Sequence, residues 1–150
     1  MARRIQTLYA LQEKQSTHPI VVTPVRGVIH RIISQLGKQP LLALEIGKEQ
    51  SLDELVRHLA SLAYTRTDLV ERRGEFAVRG GIVDLFLPLS HHPIRIDFFG
   101  DEIEDLSYFE VSDQRTFKPV VGAVDIYPCR ELLLTPEIKH RAIEVADEYP

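Results

Sequence analysis

From Gly74 to Glu104 the chain repeats with a period of two, and that rhythm restricts the fold more than anything else in it. Phe76 and Val78 alternate with Glu75, Ala77 and Arg79. Gly80-Gly81 makes a tight reversal, after which Val83, Leu85 and Leu87 alternate with Ile82, Asp84 and Phe86. Ile94, Ile96 and Phe98 then alternate with Arg95, Asp97 and Phe99, and Gly100-Asp101 turns the chain again. Ile103 to Val111 supplies one or two further strands. Alternation sends every second side chain to one face, and glycine-containing reversals join neighbouring strands antiparallel. The spacing therefore predicts an antiparallel meander.

Ahead of the meander, Leu42, Leu44 and Ile46 alternate as in a half-exposed strand. Ser51-Leu52-Asp53-Glu54 then opens a helix, with Ser51 as cap and Glu54 three residues on, as a capping box requires. Leu52, Leu55, Val56, Leu59 and Leu62 form its apolar stripe. One helix laid across one face of such a sheet gives a small α+β unit.

The two ends have another character. Ile5, Leu8, Tyr9 and Leu11 recur at helical spacing, although nothing caps the start. Ile20-Val21-Val22-Thr23 is a short β-branched run closed by Pro24, suited to a strand covered on both faces. Val25, Val28, Ile29, Ile32, Ile33 and Leu36 follow at helical spacing, and Gly37 stands where a helix would stop. This helix–strand–helix piece is too small to cover a sheet on both sides and resembles the end of a larger α/β domain. Val120 to Tyr127 is expected as a strand ending at Pro128. A last helix begins at Pro136, with Thr135 as cap and Ile138, Ala142, Val145 and Ala146 on its apolar face.

With 44% hydrophobic and 27% charged residues the chain belongs to the globular class. No apolar run approaches the ~20 residues that span a bilayer. Met1-Ala2-Arg3-Arg4 is followed by Ile5-Gln6-Thr7-Leu8 without an apolar signal core, so a cytoplasmic location without membrane contact is expected. Cys129 is the single cysteine, read as a small residue filling space near a strand end. His91-His92 has no cysteine or further histidine at ligand spacing, so no metal is expected. Gly37-Lys38 is followed by Gln39 and Gly47-Lys48 by Glu49, so neither offers the hydroxyl of a phosphate-binding loop. Hydrolase motifs are missing as well. The expectation is a chain without catalytic residues, cofactor or enzymatic activity. The acidic string around Asp101 is expected as a solvated hairpin.

Binding chemistry is more visible. A formal net charge of −4 opposes a nonspecific grip on DNA, which relies on many basic side chains. The charge is also uneven. Arg66, Arg72, Arg73, Arg79 and Arg95 fall close together, whereas from Asp97 to Asp113 every charge is acidic, a split better suited to orienting a protein partner. If Phe76 and Val78 face the core, Arg79 faces solvent; if Val83, Leu85 and Leu87 face inward, Asp84 and Phe86 face outward. An arginine and a large aromatic then share one surface, and these residue types are enriched among strong interface anchors. Arg66 lies just ahead and is a third candidate. Two plainer readings stand beside this one. Arg79 pairs with Asp84 across the hairpin, or a register slip of one residue buries Phe86.

At this stretch the residues point to a family. Gly74-Glu75-Phe76-Ala77-Val78-Arg79-Gly80-Gly81-Ile82-Val83-Asp84-Leu85-Phe86, followed by Pro93-Ile94-Arg95-Ile96-Asp97-Phe98-Phe99-Gly100-Asp101-Glu102-Ile103-Glu104, closely resembles the UvrB-homology module of transcription-repair coupling factors (the Mfd family). It is similar, more distantly, to the excinuclease protein UvrB itself. Ser112-Asp113-Gln114-Arg115-Thr116 favours the coupling factors, since UvrB has a Pro-Leu-Thr-Gly type of segment there.

The resemblance implies that residues 39–118 form an inserted domain that binds UvrA. It implies that residues 1–38 end the first part of a degenerate helicase-like α/β domain and that 119–150 return to it. It also implies partner contacts from Arg66 and Arg79, and an aromatic at Phe86. The family pattern has an arginine where this chain has Ala77, so fewer charges are available at that point. The implied role is to recruit UvrA to stalled transcription complexes in nucleotide excision repair. An ATP-driven motor and the contacts to DNA and RNA polymerase belong to other parts of such a parent protein. Two rival readings remain: a DNA-binding module using Arg66, Arg72, Arg73 and Arg79, and a structural or autoinhibitory packing domain.

Overall fold

A computed structural model describes residues 2–12, 20–29, 41–134 and 136–146. Its centre is a sheet of six strands in the order β2-β3-β4-β5-β6-β7. These are β2 (Thr65–Arg66), β3 (Glu75–Arg79), β4 (Ile82–Leu85), β5 (Ile94–Phe99), β6 (Glu102–Phe109) and β7 (Thr116–Pro119). From β3 onward each neighbour is antiparallel, as the alternation predicts, whereas β2 lies parallel to β3. Arg79 pairs with Ile82 around the Gly80-Gly81 reversal. Gly80 has a φ of +59°, which glycine adopts without steric cost. A Cβ at Gly81 would stand 3.1 Å from the Phe98 carbonyl oxygen. The stretch from Ile103 onward forms one strand, β6, with a bulge against β5 between Asp97 and Phe98.

Helix α3 (Leu52–Ser61) covers one face of this sheet. Leu55 and Leu59 are fully buried, and Leu52, Val56 and Leu62 pack at the margin, so the predicted stripe is the packed one. They meet Phe76, Val83, Leu85, Ile94, Ile96 and Leu106, inward residues of β3 to β6. The capping box does not form. Ser51 has an extended backbone at the N-cap position, but its side chain makes no capping hydrogen bond. Its carbonyl accepts the Leu55 N–H at 2.9 Å, and Asp53 and Glu54 set negative charge against the positive helix terminus.

A second ribbon pairs β1 (Leu42–Leu44) antiparallel with β8 (Val124–Ile126). Leu44, Val120 and Ile126 join the α3 core, which therefore continues past residue 118. The expected strand from Val120 to Tyr127 is shorter than its apolar composition suggests, because Gly122 turns with a φ of +79° and Val121 stays exposed. Strand β7 is not expected from the sequence: Thr-Phe-Lys-Pro has no apolar alternation, and it forms an exposed edge where proline is tolerated.

Helix α1 (Ala2–Gln12) buries Ile5 and sets Tyr9 edge-on against Tyr127, with ring centroids 5.7 Å apart. Residues 20–24 are not a strand, contrary to expectation. Ile20 and Val22 are almost fully exposed, and among the described residues no strand lies beside them to complete the hydrogen bonding. Helix α2 (Val25–Ile29) is the described part of the next predicted helix; the rest of that prediction, through Gly37, lies outside the described residues. Helix α4 (Pro136–Ala146) begins at the expected proline, while Thr135 lies outside the described residues. Its apolar positions Ala142, Val145 and Ala146 are exposed.

Replacing Leu59 by alanine removes buried volume from the centre of the α3 core, with an expected loss of about 2–5 kcal/mol. Ser51→Ala deletes no capping bond and is expected to cost under ~0.5 kcal/mol, less than the ~1 kcal/mol of a working cap. Urea denaturation measures both; a large loss for Ser51→Ala would mean that the hydroxyl caps after all.

Candidate interaction surface

The strand register divides the sheet's residues between two faces. Opposite α3, one cross-strand row runs Ala77, Asp84, Arg95, Ser107, and the next runs Arg79, Ile82, Asp97, Asp105. Asp84 sits in the middle of the first row and is only 1% exposed. An aspartate buried to that degree needs cationic partners, because desolvating an isolated carboxylate is prohibitive. Arg95 answers with a fork: its Nε donates to Oδ1 at 2.7 Å and one terminal nitrogen to Oδ2 at 2.9 Å. Arg79 donates a terminal nitrogen to the same Oδ2. Two guanidinium groups thus meet one carboxylate, with Asp97 in the next row close enough to act on both Arg95 and Asp84.

The two arginines are used differently. Arg95 donates its other terminal nitrogen to the Gln114 carbonyl at 3.2 Å, and its guanidinium lies over the Phe109 ring, 4.9 Å from the centroid. The hydrogen bond to Asp84 is the main reason its pKa rises above the ordinary arginine value. Arg95 is fully committed inside the fold. The Arg79 side chain is 47% exposed. Among the described residues its Nε and remaining terminal nitrogen have no acceptor.

Phe86 requires a correction. The register is the expected one, and the ring does lie on the face away from α3, yet it is 7% exposed rather than free. That face has its own cover. The loop from β2 to β3 must cross over to join parallel strands, and it brings the fully buried Val70 against Ala77, Phe86 and Phe109, with Val111 at the edge. Glu75 ties this loop down by accepting the backbone N–H groups of Glu71 and Arg72 at 2.9 and 2.8 Å. Gln114 links it to the opposite loop, its Nε2 donating to the carbonyls of Val70 and Val111. The Arg73 guanidinium closes over the Phe86 ring at 5.7 Å. A ring packed this way supports an arginine; it is not an exposed anchor.

Arg66 is exposed and pairs with Phe76, a core residue of the α3 face. The register therefore sets it at the margin of the face opposite to Arg79. Of the three sequence candidates, only Arg79 joins the charged cluster, and only Arg66 and Arg79 reach solvent. Arg95 as a structural partner and the burial of Asp84 were not expected from residue spacing. The signal for both was an aspartate inside the apolar run Ile82-Val83-Asp84-Leu85-Phe86.

Elsewhere titratable groups serve packing. Burial pushes the Cys129 thiol up to about 11 and also raises the neighbouring Tyr64, whose hydroxyl donates to the Tyr127 carbonyl at 2.8 Å. Among the described residues, no group of three or more His, Cys, Asp or Glu could hold a metal ion, and no helix is long and apolar enough to cross a membrane.

Asp97 and Asp105 oppose each other across β5 and β6. Desolvation first, then repulsion from Asp105, raises the Asp97 pKa above its ordinary 3.8. The folded state therefore holds this proton more tightly than the unfolded state. Stability is lost as the pH rises through the carboxylate range. Asp97→Asn is expected to raise Tm at pH 7, with the gain vanishing as the pH falls below the ordinary carboxylate value. Thermal melts across that range check this, and a lower Tm at pH 7 would contradict it.

The UvrB interaction domain family model matches residues 42–132, from β1 past β8. The chain is 45% identical over 132 residues to the transcription-repair-coupling factor of Mycobacterium tuberculosis (strain CDC 1551 / Oshkosh), covering 87% of this chain and 11% of that protein. It is 39% identical over 130 residues to the one from Myxococcus xanthus, covering 85% and 11%. To the one from Bacillus subtilis (strain 168) it is 33% identical over 148 residues, covering 97% and 12%. The chain thus spans only about a tenth of the length of these relatives. With the family match taking in the whole six-stranded sheet, α3 and the β1–β8 ribbon, the chain belongs to the UvrB interaction domain family.

Proposed function

We propose that this chain is a non-catalytic docking module that binds UvrA, and that it serves a transcription-repair coupling factor by drawing UvrA to stalled transcription complexes in nucleotide excision repair. The observation that carries this reading is the half-free guanidinium of Arg79, held at the surface by its bond to the buried Asp84. A pre-positioned arginine binds an acidic partner group at low entropic cost. Arg66 contributes from the other margin of the sheet. Phe86 contributes indirectly, as the floor under Arg73. Residues 1–38 and the part of 119–150 beyond the β1–β8 ribbon are, in this reading, parts of a neighbouring α/β domain, and RNA polymerase, DNA and ATP are handled by other parts of the parent protein.

Binding of the 150-residue chain to purified UvrA and to duplex DNA tests the proposal. Arg79→Ala is expected to weaken UvrA binding more than tenfold, the ~2–5 kcal/mol typical of a lost desolvated charge contact. Its Tm should hold, because Arg95 still pairs with Asp84. Arg66→Ala is expected to weaken binding less. Phe86→Ala should act through stability, costing about 3–5 kcal/mol on denaturation. Undiminished UvrA binding by Arg79→Ala, or DNA binding with a steep salt dependence, would overturn the proposal.

A further inference from the structure

The proposed docking face offers a partner one guanidinium edge, and its direction is set from below. Arg79 stands beside the Gly80-Gly81 reversal. The strand β2 accompanies β3 only as far as Phe76, so among the described residues the outer edge of Ala77–Arg79 has no strand beside it. One terminal nitrogen of Arg79 is bound to Asp84 Oδ2, and among the described residues its Nε and other terminal nitrogen have no acceptor, on a side chain that is 47% exposed. On the same face, toward β5 and β6, stand Asp97 and Asp105, with the exposed Glu104 on β6 nearby. These acids repel an anion from that side, so one approaches from the open β3 edge.

Resting on the UvrA-docking reading, we infer that Asp84 is the positioning residue of this surface: it anchors Arg79 by one nitrogen so that the remaining nitrogens receive a single carboxylate of the partner, while Arg95 holds Asp84 in place. Burial makes Asp84 suitable for the task. A 1%-exposed carboxylate clamped by the Arg95 fork cannot swing out to compete for the incoming group, as a surface carboxylate would. It also cancels one of the two positive charges. The partner therefore needs one carboxylate here rather than an acidic cluster.

Removing Asp84 alone leaves Arg95 desolvated without its counter-ion, and Asp84→Asn is expected to melt lower for that reason. Asp84→Asn/Arg95→Met removes both charges and should melt above Asp84→Asn, although the Arg95 contacts with the Gln114 carbonyl and the Phe109 ring are lost with it, which separates positioning from stability. Affinity for purified UvrA and Tm would be measured for the parent, Arg79→Ala, Asp84→Asn/Arg95→Met and the triple variant combining them. The double variant is expected to melt above Asp84→Asn yet bind about tenfold more weakly than the parent. Adding Arg79→Ala should then cost little more, because Asp84 acts only through Arg79. If the double variant binds with parental affinity, or melts no higher than Asp84→Asn, or if the two losses add, the inference fails while the docking reading survives. If Arg79→Ala by itself leaves affinity unchanged, the docking reading fails and this inference with it.

Discussion

Asp84 is a carboxylate taken out of water in the middle of a strand, and a buried charge of that kind is tolerable only with cations bonded to it. Much of the outer face follows from this requirement. Arg95 must reach it from the adjacent strand, which aligns its guanidinium over Phe109 and against the Gln114 carbonyl. Gln114 in turn bonds the Val70 carbonyl, so the charged cluster and the loop that buries Phe86 share one set of hydrogen bonds. Arg79 is the member of the set that still faces water.

The sheet is therefore covered in two ways. On one side α3 supplies a regular apolar stripe, and the core there is made by Leu55, Leu59 and the inward residues of the strands. On the other side two irregular loops supply Val70 and Val111, and a mixed layer of ion pairs and aromatic rings fills the space between them. The first side carries the larger of the two apolar cores. The second is held together by bonded charges, and it is open at the β3 edge. A surface built this way can offer a directed guanidinium without paying the full ordering entropy on association.

Family membership agrees with this division of labour. The match takes in the sheet, α3 and the ribbon but leaves out α1 and α4. The segments with the most exposed apolar residues, around Ile20 to Ile29 and along α4, fall outside the match. The charged cluster lies at its centre.

Strand alternation, the two glycine reversals and the α3 stripe were legible because each is a local pattern: side-chain direction in a strand or helix follows from residue spacing alone. The same rule assigned Ala77, Arg79, Asp84 and Phe86 correctly to the face away from the helix. What it could not supply was what lies on that face. Phe86 is buried by a loop whose path is set by the parallel pairing of β2 with β3, a contact that residue spacing does not encode. Ser51 has the composition of a cap, yet its hydroxyl does not cap. Ile20 to Thr23 has the composition of a strand but, among the described residues, no neighbouring strand to pair with. Local sequence decides which way a side chain points; only tertiary packing decides whether it meets water there, because burial depends on segments distant in the chain.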